Sequence, residues 1–376
     1  MNEQIRALFP ITERLVYLNS AAISPPPATA VAAAKGQLDD VQRDGSSNFG
    51  AWLATKEEAR QRLATMLGAR PEQVAFMRNT SDGLSCIANG LAWQAGDNLV
   101  TFRGEFPSNM YPWLRLREAH GVEARLCEER EGRVDVEQLL SLIDANTRVV
   151  ALSFVQFASG FRADLELIGR AARARDALFV VDLIQGLGVL PLDVAAQYVD
   201  AAAGAGHKWL MAPEGVGYLY LSDRARERIT PTLLGWVSLA DSNNMQDLEQ
   251  PLKPGALPWD TGTCGMSLLY GLNESLKLLT ETGVPRIAAH LEELTDYLCE
   301  RLAEKDYHIV SSRRAGEKSH IVCAQHRNSV TWSPMALYKH LEAQNITVSP
   351  RNGRLRIAPH LYNRPADIDA LIAALP

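Results

Sequence analysis

Between Gly68 and about residue 225, short apolar runs alternate with longer stretches whose apolar residues recur every three or four positions. The runs, at 73–77, 98–102, 149–154, 178–181 and 217–221, have the length of buried strands. The periodic stretches at 81–91, 107–120 and 165–176 predict helices. Such alternation predicts an α/β fold with a mostly parallel sheet covered by helices on both faces, because each parallel crossover needs a helix to return the chain. Upstream, residues 14–27 read as an extended lead-in closed by Pro25, Pro26 and Pro27. Helical patterns follow at about 28–43 and 51–67, the second stopped by Gly68.

The pattern changes after residue 225. Residues 235–263 are loop-like, punctuated by Pro251, Pro254, Gly255 and Pro258. Two long amphipathic helices are predicted at 265–281 and 285–304, then strands at 308–311, 319–323 and 354–358, with helices at 335–344 and 365–374. This gives three parts: an N-terminal segment, 1–27, packing near the active site; a large α/β domain, 28–255; and a smaller C-terminal α+β domain, 256–376.

Composition narrows the class. An apolar share of 47% with 22% charged residues describes a folded globular chain rather than a disordered one. The net charge of −6 argues against a nucleic-acid partner. Five dispersed cysteines form no Cys-x-x-Cys pair, which argues against zinc ribbons and thioredoxin-type sites and predicts reduced thiols, no metal and a cytoplasmic setting. No apolar run suits a signal peptide or a membrane span.

Two segments carry candidate chemistry. The strand-like run 177–181 ends in Asp182, with Gln185 shortly after, and strand ends in an open parallel sheet face the ligand crevice. Read alone, Asp182 is equally a helix N-cap or a loop ion pair. Lys208 sits among small residues in the stretch 204–217, after the apolar run 199–203. A lysine partly withdrawn from water there has a lowered pKa suited to Schiff-base chemistry, whereas a solvated lysine is the bland alternative.

Together, Asp182-Leu-Ile-Gln-Gly186 and Gly206-His-Lys-Trp209 resemble the fold-type I pyridoxal 5′-phosphate (PLP) enzymes, specifically the class V aminotransferases, which include cysteine desulfurases, kynureninases and isopenicillin N epimerase-like proteins. The resemblance runs from Tyr17-Leu-Asn-Ser-Ala-Ala22 to the segment 355–363. It implies the PLP-dependent transferase fold, with a large, mostly parallel seven-stranded sheet. Lys208 would hold PLP as a Schiff base and move the substrate Cα proton. Asp182 would pair with the pyridine nitrogen and keep the ring an electron sink. Gln185 would lie near the cofactor hydroxyl and His207 near its phosphate. Thr80 and Ser81, at the start of a predicted helix where backbone N–H groups favour anions, would bind that phosphate. Phe106 would stack on the ring. Thr263, in Gly262-Thr263, would reach the phosphate of a neighbouring subunit, making the protein a homodimer with shared active sites. Arg356 would clamp the α-carboxylate of a small amino-acid substrate through its planar fork, with Asn19 lining the same pocket. Arg351 is a surface charge or a reader of a second substrate carboxylate.

Three departures bear on the reaction. Ala205 stands where many relatives have a hydroxyl, so one phosphate donor is missing or supplied elsewhere. Phe154 and Phe157 stand where cysteine desulfurases place His and Asn, and the run 156–162 is closer to the epimerase-like branch. Desulfuration through an enzyme persulfide needs a cysteine shortly before the carboxylate-binding arginine, and residues 341–356 contain none. The sequence therefore ranks class V aminotransferase or epimerase-like activity first, and a C–S or C–C lyase second. A non-catalytic PLP-binding protein comes last, since Lys208 and Asp182 are both present.

Overall fold

The computed structural model describes residues 3–376. Its main sheet has seven strands: β1 (Val74–Met77), β2 (Asn98–Phe102), β3 (Glu123–Cys127), β4 (Thr147–Ser153), β5 (Leu178–Asp182), β6 (Ala201–Ala205) and β7 (Gly217–Leu221). They lie in the order β1-β7-β6-β5-β4-β2-β3. Only β7 runs against its neighbours β1 and β6; the other pairs are parallel.

Every residue of β5, β6 and β7 is buried. Alternate positions of β5 feed two cores: Phe179 and Val181 one face, Leu178 and Val180 the other. This is why the run reads as continuously apolar rather than alternating. The small side chains of β6 let the helix Thr80–Gly90 approach closely; a Cβ on Gly83 would lie 2.7 Å from that of Ala203.

A second, four-stranded antiparallel sheet orders Tyr307–Ile309, Val322–His326, Arg354–Ile357 and Ser349–Arg351. The helix Val284–Ala303 and the helices Pro334–Glu342 and Pro365–Ala374 contribute to its core. The lead-in docks on this part: Val16–Tyr17 pairs in parallel with Ile346–Thr347, and Asn19 bridges to Ala358.

Several predicted elements differ in detail. The strand expected at 319–323 lies at Val322–His326, because Ser319 Oγ donates to Gly160 O and His320 Nε2 bonds Gln185 O, while Val322 registers with Ile357. The helix expected at 107–120 splits into a short 3₁₀ turn, Pro107–Asn109, and a helix, Tyr111–His120, with Pro112 in its first turn. The pattern did not predict β3 or Ser349–Arg351. The first is a sheet-edge strand with an exposed Glu123 and intermediate burial along most of its length; the second is a short hairpin partner. Among the described residues, no helix is long and apolar enough to cross a membrane, and no group of three or more His, Cys, Asp or Glu side chains is placed to hold a metal ion.

Candidate active site

The segments that carry the candidate residues converge on the carboxyl edge of the main sheet, where open α/β sheets form their crevices. Arg78 to Ser81 follow β1, Phe106 lies beyond β2, Asp182 ends β5, and His207 and Lys208 follow β6. From the second sheet come Arg351 and Arg356, and from the lead-in come Ala21 to Ile23. They enclose a cavity of about 550 Å³. Eight of the ten predicted residues line it: Thr80, Ser81, Phe106, Asp182, Gln185, His207, Lys208 and Arg356.

Asp182 is 1% exposed and accepts one hydrogen bond, from the Ile184 N–H at 2.9 Å. Burial pushes its pKa up, and the Ile184 bond opposes this; Glu105 adds to the rise and Lys208 opposes it. Lys208 is 8% exposed, and burial drives its pKa down against the pull of Asp182, with Arg356 and Arg351 adding to the fall. Its Nζ stands 5.4 Å from the Phe106 ring centroid, and Phe106 meets Phe157 edge-on at 5.1 Å. His207 is half-buried in a way that lowers its pKa, and its carbonyl accepts from Ser24 N–H at 2.9 Å.

Gln185 is oriented by its neighbours. Its Oε1 accepts from Trp209 Nε1 at 2.7 Å, and its Nε2 donates to Ala21 O at 3.1 Å, tying the lead-in to the cavity wall. At the opposite end, Asn79 caps the helix Thr80–Gly90 by accepting from Asp82 N–H at 2.9 Å. Thr80 Oγ1 is buried with no partner, and Ser81 Oγ lies 2.7 Å from Ser108 Oγ. Arg356 donates through Nη1 to Phe157 O at 3.1 Å, but its Nε and Nη2 are buried and unpartnered. Burial pushes this guanidinium down to about 10, and no carboxylate pairs with it among the described residues.

This donor set fits PLP. A buried acid, a desolvated amine, an aromatic face and an orphaned hydroxyl at a capped helix N-terminus meet the four chemical features of that molecule: ring nitrogen, aldehyde, π-system and phosphate. The unpaired edge of Arg356 fits a carboxylate.

Two predicted residues lie elsewhere. Asn19 is not in the cavity wall; its Oδ1 is buried and unpartnered beside the bridge to Ala358. Thr263 lines an adjoining cavity of about 600 Å³ with Gly262 and Asp82, and Arg78 and Gly215 border both spaces. The pattern missed Arg78, Ser108 and Glu214, all of which line the first cavity. Arg78 sits immediately before the segment 79–83 and ion-pairs with Asp82 at 2.6 Å. No cysteine lines this cavity. Cys323 is fully buried opposite Arg356 in the second sheet, where burial pushes its thiol to about 11. Cys264 lines the adjoining cavity, its thiol also raised by burial.

The chain is similar to known proteins over most of its length. Residues 16–368 match the aminotransferase class-V family. A probable cysteine desulfurase of Methanothermobacter thermautotrophicus is 33% identical over 303 residues, covering 79% of this chain and 74% of that protein. The apo cysteine desulfurase of Thermococcus onnurineus NA1 has the same fold, with a TM-score of 0.89 at 24% identity over 99% of this chain and 97% of that one. So does the cystine C–S lyase C-DES, solved with its reaction product cysteine persulfide, at TM-score 0.90 and 22% identity over 97% and 98%.

Proposed function

This chain belongs to the class V aminotransferase family of PLP-dependent enzymes, and from that membership we propose that it is a C–S lyase acting on a sulfur-containing α-amino acid without an enzyme thiol. The observation that carries the proposal is a cavity holding an amine, an acid and an unpaired arginine, with no cysteine on its wall. The cysteine desulfurase relative and the structural likeness to a cystine C–S lyase support cleavage ahead of the transamination or epimerisation that the sequence ranked first. A desulfurase that passes sulfur to its own cysteine lacks that residue here.

When bound, PLP supplies a protonated ring that takes up the electrons released at the substrate Cα. Arg356 would grip the α-carboxylate and so orient the substrate about its Cα. Asp182 would face the ring nitrogen and keep it protonated. Lys208, its pKa lowered to about 8 by burial, would take the Cα proton at Nζ in its neutral form. The Cβ–S bond then breaks, its electron pair leaves with sulfur, and the unsaturated remainder hydrolyses to a 2-keto acid and ammonia. Thr80, Ser81 and the helix N-terminus would hold the phosphate, with His207 beside it; Gln185 would face the cofactor hydroxyl, and Phe106 would cover the ring. Arg351, on the same wall as Arg356, suits a substrate with a second carboxylate, as cystine has. Thr263 points this reading to a homodimer in which each copy completes its partner's phosphate site; light scattering of the holoprotein on dilution tests it.

The decisive assay gives the holoenzyme cysteine, cystine and a thioether amino acid, and follows keto acid and sulfur release. We expect the two products in equal amounts, and at the same rate in Cys323→Ala and Cys264→Ala. Amino transfer to an added keto acid with no sulfur release would replace this reading with transamination. Sulfur release that disappears in Cys323→Ala would replace it with thiol-dependent desulfuration.

A further inference from the structure

The motif around Phe106 begins with Glu105, a residue that the reaction above does not use. Its carboxylate is buried behind the cavity wall rather than on it. Oε1 accepts from the backbone N–H of Ser153 at 2.8 Å and from Gln156 Nε2 at 2.6 Å. Oε2 accepts from Asn109 Nδ2 at 3.1 Å and makes a short contact with Ser153 Oγ. The Asn109 amide is not free to turn: its Oδ1 accepts from Trp113 Nε1 at 3.0 Å, and an indole N–H can only donate. Both carboxylate oxygens are thus saturated by neutral groups, and no cation pairs with Glu105 among the described residues.

Ser153 is the register partner of Asp182 on adjacent parallel strands. Paired residues on parallel neighbours project from the same face of the sheet, about 4.8 Å apart. The Glu105 carboxylate takes the Ser153 N–H from the β2 side of β4, so it stands between one and two strand spacings from Asp182, near enough for its charge to act there. The other titratable group within its field is the Cys127 thiol at the end of β3, which burial and then Glu105 drive upward.

We propose that Glu105 is a positioning residue for the cofactor: a second, ionised carboxylate behind Asp182 whose field helps keep the bound ring protonated. Burial raises the pKa of Glu105, while four hydrogen bonds to its ionised form oppose this, and a protonated ring nearby opposes it further. The Glu105 charge raises the proton affinity of Asp182, and the same field would act on a ring nitrogen beside it, so the pair holds their shared proton more tightly. The inference rests on the placement of the PLP ring against Asp182.

The test reads the pH midpoint of ring-nitrogen protonation, from the 15N chemical shift of bound PLP labelled at that nitrogen, in variants titrated to full occupancy. Glu105→Gln removes the charge, and the midpoint should fall by about one pH unit, as expected for one charge lost at this range in a medium of intermediate dielectric. Glu105→Asp disturbs the four hydrogen bonds more but keeps the charge, so its midpoint should stay near that of the wild type. In Glu105→Gln, kcat should fall while the KM for the amino acid holds, because Arg356 is untouched. An unchanged midpoint in Glu105→Gln overturns the inference. So does an equal fall in Glu105→Asp, which would assign the effect to geometry. If Glu105→Gln does not fold, Glu105→Met serves as the neutral variant and is read by the same criterion. Asp182→Asn separates the two levels: if it too leaves the midpoint in place, the placement of the ring fails rather than the role of Glu105.

Discussion

Arg356 illustrates how a single side chain is held for a partner it does not yet touch. A guanidinium buried with two unpaired nitrogens is costly, and only an incoming anion relieves that cost. Arg356→Ala should therefore raise the KM for the amino acid by about 10- to 150-fold, the equivalent of about 1.5–3 kcal/mol for one charged, forked contact. Steady-state kinetics checks this, and a KM unchanged within twofold would remove Arg356 from the substrate site. At this scale much was readable in advance. Asp182 ends an apolar run and Lys208 lies among small residues after one, but their roles came from the resemblance rather than from those patterns. The unpaired state of Arg356 was not readable, since it depends on what the second sheet fails to bring near it.

The turn between β1 and the helix Thr80–Gly90 carries the argument at the level of elements. The sequence places Thr80 and Ser81 at the start of this helix, and the structure adds the Asn79 cap and the reason Gly83 follows. The helix packs so tightly on β6 that Gly83→Ala would force its Cβ against that of Ala203. The mismatch should cost about 1–3 kcal/mol and shift the turn that presents Thr80 and Ser81. Urea unfolding and PLP titration should register it together, as a lower midpoint and weaker cofactor binding. A stability loss with unchanged PLP affinity would separate this helix from the phosphate site. Elements with strong periodicity, such as Met266–Thr282 and Val284–Ala303, fell within a few residues of their predicted bounds. The strand at 319–323 did not, because its first residues serve contacts with Gly160 and Gln185, which no local pattern encodes.

Across the whole molecule, Trp209 joins the loop of Lys208 to the second sheet. Its ring meets His320 at 3.9 Å and His360 at 5.3 Å between centroids. Both histidines bond backbone carbonyls through Nε2, which makes that nitrogen the donor in each. His320 Nδ1 is then buried without a partner, and His360 Nδ1 accepts from Leu361 N–H. Neither can take a second proton without loss, and burial lowers both to about 3. In the unfolded chain they titrate near the ordinary value of about 6.5. The unfolded state then binds more protons below that pH, so this stability is fully present above about 6.5 and is lost as pH falls toward 3. Each histidine should remove about 2 kcal/mol between pH 7 and pH 5. Denaturant unfolding of His360→Asn at both values should show a pH-dependent loss smaller by that amount. An unchanged loss would mean that His360 does not stay neutral in the folded protein.

Local pattern was enough for the α/β architecture and most of the helices. These follow from apolar periodicity, caps and residue neighbourhoods, which act over a few positions along the chain. The closing of the cavity needed contacts between distant segments. The lead-in crosses to the second sheet through Val16–Tyr17 and returns to Gln185 through Ala21, and Thr263 falls in a separate space from the other candidates. The pairing of Glu105 with Ser153, one strand from Asp182, belongs to the same class. Such relations depend on strand order and register, which arise when buried faces of remote elements find one another, and spacing along the chain does not specify them.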